Sequence, residues 1–190
     1  FARLPVTGPF RLESQQRYDI PFRFEVPWET PITEVYGTHL HGMTMGLRTE
    51  LEVARALDKT DLDPVAVHPL PAQERILDAL AQLGFRFARA DVERGRIYGV
   101  QQSLPFYQEI EYYAAPQYAR GMKELELTFL PTPQHLQVVL EVDKRGGLFT
   151  EGRDVYGRFT VDYATVDQVD WASQFDAWLR QTVQRRGLFF

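Results

Sequence analysis

Two histidines separated by one residue could bind a metal ion. In a β-strand, side chains two residues apart point to the same face, so His39 and His41 would face one way. Two imidazoles at that spacing can hold one metal ion. A third ligand is lacking nearby, because Asp58, Asp61 and Asp63 lie on a different segment. We favour a structural or solvent-facing role for the pair and keep a small-ligand or metal-binding β-sandwich as the alternative.

Alternating glutamates on two predicted strands could perform acid–base chemistry. Glu109 and Glu111 share one face of a strand, as do Glu124 and Glu126. Glycosidase carboxylates need a separation of about 5–9.5 Å and different environments. If the protein is a hydrolase that uses Glu109 and Glu111, at least one of these carboxylates should lie in a cleft and have a strongly raised pKa. The wet face of an antiparallel sheet explains the same alternation more simply.

The remaining candidate motifs fail the patterns that they resemble. The aspartates between residues 58 and 63 lack the glycine and the closing glutamate of a calcium loop, which favours a turn or helix-cap role. Gly146–Gly147 has no strand–loop–helix context for a phosphate, and His68 and His135 lack the positioned partner of a general base. We therefore predict no catalytic, cofactor-binding or metal-ligating residue, and no enzyme.

The composition is that of a globular protein and excludes several classes. Of the 190 residues, 44% are hydrophobic and 25% are charged, close to the globular average. The net charge of -5 provides no basic field for nucleic acid or anionic membrane. The absence of cysteine excludes disulfides and cysteine catalysis and fits a cytoplasmic location. No apolar run reaches the roughly 18–20 residues of a membrane helix.

The first third of the chain has the pattern of β-structure. Ile20–Val26 alternates apolar and polar residues and has a proline near each end, which predicts a half-buried strand. The stretch Glu34–Val53 is rich in strand-forming residues and punctuated by glycines, which predicts one or two strands.

A domain boundary is expected near residue 66. The polar stretch Asp58–Pro64 is turn-prone, and Val67–Pro71 is stiff because its prolines restrict the residues before them. We expect residues 1–66 to be the C-terminal part of one β-sandwich and residues 67–190 to form a second domain.

The second domain has two helix patterns. A helix over about 71–83 begins with Pro71 in its first turn and stops at Gly84. A second helix over about 170–186 begins after Asp170, a good N-cap.

Five strands are predicted between the helices, and their alternation indicates an antiparallel sheet with one apolar and one wetter face. The predicted strands are 85–93, 106–113, 123–130, 135–142 and 156–163. The fold class is therefore mainly β.

Several blocks, in order and spacing from about residue 9 to residue 186, resemble one bacterial family. They are Ile20–Pro27, Thr30–Thr33, Gly46–Leu51, Ala56–Asp61, His68–Leu70, Ile76–Phe85, Leu104–Glu111, Glu124–Phe129 and Leu140–Arg145. Each block alone is ordinary strand or helix sequence, whereas the series is similar to the bacterial sporulation-control proteins.

The resemblance implies two arrestin-like antiparallel β-sandwich domains, with one helix between them and one C-terminal helix. It implies a cytoplasmic regulatory protein without a catalytic centre or cofactor. It also implies that the first strands of the N-terminal sandwich are missing from this sequence.

A protein of this kind would act as an adaptor whose partners are other proteins, with a homodimer as one option and no nucleic acid. Open strand edges can accept a partner strand. The candidate contact residues are Tyr112, Tyr113, Tyr118 and the tail Phe189–Phe190. Packing within the domain is the competing explanation for each of them.

Overall fold

The computed structural model describes residues 3–55, 57–144 and 155–184. The strands are β1 Glu34–Val35, β2 Thr38–His39, β3 Gly46–Leu51, β4 Lys59–Pro64, β5 Arg86–Arg94, β6 Phe106–Tyr113, β7 Met122–Pro131, β8 His135–Lys144 and β9 Val155–Asp162. The helices are α1 Pro71–Gln82 and α2 Trp171–Gln184, with a 3-10 turn at Val166–Gln168. None of the described helices is long and apolar enough to cross a membrane.

The five strands β5 to β9 form one antiparallel sheet in which each strand pairs with the next along the chain. The five strands predicted from the sequence are confirmed, with ends that differ by one or two residues. Side chains alternate as expected: on β7, Leu125 and Leu127 are buried in the core, whereas Glu124 and Glu126 lie on the opposite face. We call that opposite side the open face.

The two helices cover the apolar face of the sheet. Ile76 and Leu80 of α1 and Phe175 of α2 are fully buried in the same cluster as the strand residues. The rings of Phe175 and Phe159 lie 5.0 Å apart in an edge-to-face arrangement.

Both helices begin as their sequences predict. Pro71 is the first residue of α1, and Gly84 follows its end with φ 84°. Asp170 caps α2, because its Oδ1 accepts the N–H of Ser173 at 2.9 Å and its Oδ2 accepts the Ser173 hydroxyl at 2.7 Å. The described part of α2 ends at Gln184, and the predicted residues 185–186 lie outside the described ranges.

Residues 29–43, which we call the strap, pack on the same apolar face beside α1. Ile32, Leu40 and Met43 of the strap belong to the core cluster. The buried side chain of Gln108 on β6 binds the strap like a neighbouring strand, because its Oε1 accepts the Ile32 N–H at 2.9 Å and its Nε2 donates to the Ile32 carbonyl at 2.7 Å. Thr33 joins the strap to Val67, whose carbonyl accepts the Thr33 N–H at 2.9 Å.

The predicted strand Ile20–Val26 is wrong: these residues form no regular secondary structure. Phe22 and Phe24 are 48% and 50% exposed, and their rings stack on each other at 6.2 Å. Alternation defines an apolar face, but a strand also needs a hydrogen-bonded neighbour, and no described strand pairs with this segment.

The stretch Asp58–Pro64, expected to be a turn, contains β4. It pairs antiparallel with β3 from Gly46 opposite Pro64 to Leu51 opposite Lys59. Pairing therefore overrides the weak strand propensity of its aspartates. The stretch Glu34–Val53 contains three strands instead of one or two. The boundary at residue 66 stays a prediction, although the strap, which precedes it, shares the core of the residues that follow it.

Candidate functional site: an acidic cavity on the open face of the sheet

The open face carries a row of glutamates across three neighbouring strands. The register places Glu126 of β7 opposite Glu111 of β6 on one side and opposite Glu141 of β8 on the other. Glu109 lies on the same face, two residues from Glu111. Like charges directly opposite each other destabilise a sheet, so this row must be neutralised by cations or by protons.

Two groups of carboxylates converge on this face. Glu109, Glu126 and Glu141 each offer an oxygen within 4.8 Å of the others, and Asp91, Glu93 and Glu109 form a second group of the same kind. Carboxylate oxygens are the ligands of hard cations such as Ca²⁺. Carboxyl groups at this separation also share protons, because two negative charges so close together cannot both form easily.

Two cations neutralise the margins of the row. Arg89 makes a bidentate pair with Glu111, at 2.7 and 2.8 Å, and the Glu111 side chain is only 6% exposed. Lys123 binds Glu124 at 2.9 Å and Asp143 at 3.2 Å. Neither of these cations pairs with Glu109 or Glu126, and both central glutamates are partly buried.

Burial and neighbouring charge raise the pKa values of the two central glutamates. Burial is the largest cause for both of them. The pKa of Glu109 rises to about 7, with further repulsion from Asp91 and Glu93. The pKa of Glu126 rises to about 8, with further repulsion from Glu109 and Glu141. The open face therefore takes up protons near neutral pH, which is the property of a general acid or of a proton-sensitive surface.

The central glutamates line a cavity of about 290 Å³. Its floor includes Thr128 and Val139, which are buried side chains of the open face. One wall is formed by Arg96, Ile97 and Tyr98 from the loop between β5 and β6. A concave site with converging polar groups is the usual form of a small-ligand site.

A second, more open groove of about 440 Å³ lies beside α2 and the end of α1. Its ionic groups are already satisfied: Arg180 pairs with Asp176 at 2.7 Å, and Asp176 also accepts the hydroxyl of Tyr118 at 2.5 Å. The groove is larger, but its charged groups are paired with each other, whereas the acidic cavity contains carboxylates with raised pKa values. The acidic cavity is therefore the better candidate site.

The structure separates the glutamate pair considered for hydrolysis. Glu109 lies in the cavity with a raised pKa, as that hypothesis requires. Glu111 is held in its ion pair with Arg89, so its carboxylate is not available as a second catalytic group. Sequence reasoning placed Glu126 beside Glu124 but could not bring it to Glu109 or Glu141, because that needs the pairing register of three strands.

The two histidines do not share a strand face, which is a correction to the expectation. Strand β2 ends at His39, and His41 lies in the turn that follows. The alternation that would align the imidazoles is therefore interrupted. Both residues are exposed, and the converging ligand groups of the described residues contain carboxylates alone.

The candidate contact tyrosines divide between core and surface. Tyr112 and Tyr118 are buried in the core cluster, whereas Tyr113 is exposed at the end of β6. The tail Phe189–Phe190 and the glycines Gly146–Gly147 lie outside the described residues.

Comparison with known proteins gives one consistent family. A family model described as SpoOM protein matches residues 1–146. The sporulation-control protein Spo0M of Bacillus subtilis (strain 168) is 36% identical over 141 residues, which cover 74% of this chain and 52% of the relative. The chain thus spans about half the length of that protein.

A solved structure agrees with the sequence comparison. The crystal structure of Spo0M from Bacillus subtilis matches with a TM-score of 0.67 and 28% identity, over 86% of this chain and 67% of that one. This match confirms the predicted mainly β, arrestin-like fold class. Because the family model covers most of its residues and a curated relative matches three quarters of it, this chain belongs to the SpoOM protein family of sporulation-control proteins.

Proposed function

We propose that this chain is a non-enzymatic regulatory protein that acts in the cytoplasm as an adaptor, through contacts with other proteins. Its family supports the regulatory part, since the curated relative is a sporulation-control protein. The contact role is supported by one observation on the described residues: a continuous stretch of the chain presents large apolar side chains to solvent.

This stretch, residues 4–28, is called the apolar segment below. Ten of its side chains are between 38% and 57% exposed, namely Leu4, Val6, Phe10, Leu12, Tyr18, Ile20, Phe22, Phe24, Val26 and Trp28. All ten occupy even positions, and a turn at Ser14–Gln15 divides them between two runs, whose rings of Phe10 and Tyr18 lie 5.5 Å apart. Single scattered apolar residues are normal on a surface, but ten exposed large apolar side chains within one segment mark a contact site.

The size of the apolar segment suits a protein partner. If half of each large side chain is exposed, each presents on the order of 80–100 Å², and ten present roughly 800–1,000 Å². A standard protein interface buries roughly 800 Å² on each partner. Small-molecule ligands would cover only a fraction of this face.

Two of the three arginines of the apolar segment are paired locally with carboxylates, which also fits a protein partner. Arg17 binds Asp19 at 2.8 Å, and Arg11 binds Glu13 at 3.0 Å. Arginines that are already paired with carboxylates provide a weak field for phosphates. The segment therefore has the apolar centre and mixed polar margin of a protein interface.

The test compares two surface variants of the protein expressed in its native cytoplasm. Phe22→Ser combined with Phe24→Ser interrupts the centre of the apolar segment, while Tyr98→Ser removes one exposed aromatic elsewhere. In-cell crosslinking followed by sizing of the purified complex measures association. We expect the double variant to lose the crosslinked partner and Tyr98→Ser to keep it. Equal crosslinking in all three proteins would contradict a contact role for the segment.

A further inference from the structure

The loop between β5 and β6, residues 95–105, stands over the floor of the acidic cavity. Ile97 and Tyr98 line the cavity from the loop side, and Val139 lines it from the sheet. Val139 is buried, whereas Tyr98 is 90% exposed on the outer surface. Access to the floor therefore depends on where this loop lies.

Gln102 holds the loop in one shape. Its Nε2 donates to the carbonyls of Gly95 at 2.8 Å and Leu104 at 2.7 Å, and its Oε1 accepts the N–H of Ile97 at 3.0 Å. These bonds connect the two ends of the loop with its middle. A loop that is fastened internally moves as one body when its external contacts break.

Two external contacts hold this body against the rest of the protein. Arg158 of β9 donates to the carbonyl of Tyr98 at 2.7 Å. On the other side, the carboxylate of Glu29 accepts the N–H of Ser103 at 2.7 and 3.0 Å and the N–H of Leu104 at 3.0 Å. Hydrogen bonds to an ionised acceptor are about twice as strong as neutral ones.

We propose that loop 95–105 is a lid over the acidic cavity and that Glu29 is its latch. Glu29 is the first residue of the strap and directly follows the apolar segment. Its backbone is anchored through Ile32, three residues further on, whose N–H and carbonyl bind Gln108. The latch therefore connects a fixed element, the strap, to the end of the loop next to β6. When Glu29 is displaced, the bonds from Arg158 to the Tyr98 carbonyl and from Gln102 to the Phe106 carbonyl still hold the loop, but it opens more often. This inference does not depend on the adaptor role.

The absence of cysteine from the sequence allows a direct test. Val139→Cys places one thiol on the cavity floor, and the rate of its reaction with a thiol reagent measures how often the lid opens. The latch variant is Glu29→Ala in this background. The matched control is Glu25→Ala, which removes the same side chain four residues earlier in the apolar segment. Glu29→Gln keeps an acceptor oxygen but removes the charge.

We expect Glu29→Ala to accelerate labelling about five- to tenfold, Glu29→Gln to give an intermediate rate, and Glu25→Ala to leave the parent rate unchanged. The acceleration should persist at low urea, because lid opening exposes little new surface, unlike global unfolding. Equal rates for Glu29→Ala and the parent would overturn the proposal. So would an acceleration that scales with urea as global unfolding does.

Discussion

Glu126 is the residue of the open face around which three other glutamates converge. It lies between Glu111 and Glu141 in the register of the sheet, and its oxygens approach Glu109 as well. Of these neighbours, Glu111 is neutralised by Arg89. Protonation relieves the repulsion at Glu109 and Glu126, whose raised pKa values mean that they take up protons near neutral pH.

These raised pKa values predict the pH dependence of stability. Glu109 and Glu126 have folded pKa values of about 7 and about 8, above the ordinary value of 4.5. The folded protein therefore binds more protons than the unfolded chain in this range. Their contribution to stability is fully present below about pH 4.5 and is lost as the pH rises through 7 to 8.

Glu126→Gln should remove most of this loss. We expect the variant to match the parent at pH 4 and to exceed it at pH 9 by about 1 kcal/mol, a figure discounted for solvent screening. Urea unfolding at the two pH values measures the difference. Glu52→Gln, on an exposed carboxylate, is the control. A difference between Glu126→Gln and the parent that does not change with pH would contradict the assignment.

Two glutamines on opposite faces of the same sheet make a matched pair. Gln108→Leu leaves the N–H and carbonyl of Ile32 buried without their side-chain partner, which should cost about 2–4 kcal/mol. Gln137→Leu removes an Oε1 atom that is buried and has no partner among the described residues, so it should be neutral or stabilising. Chemical denaturation of both variants tests the pair, and equal losses would argue against the role of Gln108.

At the scale of elements, the contact of α2 with β9 depends on a glycine. A Cβ on Gly157 would lie 2.6 Å from two ring carbons of Trp178 and 3.0 Å from Phe159. The contact is with the ring itself, so Gly157→Ala must displace the indole or the helix that carries it. We expect a loss of about 1–3 kcal/mol. Gly8→Ala, where nothing lies within 4 Å, is the control for thermal unfolding. An unchanged Tm for Gly157→Ala would show that α2 adjusts freely.

The elements were predictable where a local pattern and its tertiary setting agree. Strand β7 alternates cleanly and is flanked by two strands, and α1 has both its proline start and its glycine stop. Strand β4 was missed because its aspartates favour turns and only pairing with β3 makes them a strand. The cavity was missed for a related reason: Glu109, Glu126 and Glu141 are far apart along the chain, and the register that unites them cannot be read from any single strand.

At the scale of the whole molecule, the strap is the part of the N-terminal third that is bound to the sheet and to Val67. Its amides are bound by the sheet and by Val67, and its apolar side chains complete the core beside α1. The apolar segment has different surroundings. Within residues 3–28, two backbone–backbone hydrogen bonds to other described residues are present: the Gln16 N–H donates to the Glu13 carbonyl at 3.3 Å, and the Pro27 carbonyl accepts the Thr30 N–H at 3.1 Å. A change in environment thus occurs near residue 29, well before the boundary expected at residue 66.

Hydrogen exchange of the intact protein tests where this change lies. Amides exchange slowly where breaking their hydrogen bond requires unfolding of the unit that contains them. We expect the amides of Ile32 and Leu40 to be protected as strongly as those of β7, and those of residues 3–28 to exchange within seconds. Every residue of β4 is exposed, so we expect the amides of the β3–β4 hairpin to exchange at an intermediate rate.

If the strap instead exchanged together with that hairpin, the cooperative unit would begin near residue 66, and the strap would not be part of it. The Ile32 amide should be strongly protected in the parent and in Gln137→Leu, but not in Gln108→Leu. That result would place the strap in the same cooperative unit as the sheet and would show that the Gln108 side chain holds it there.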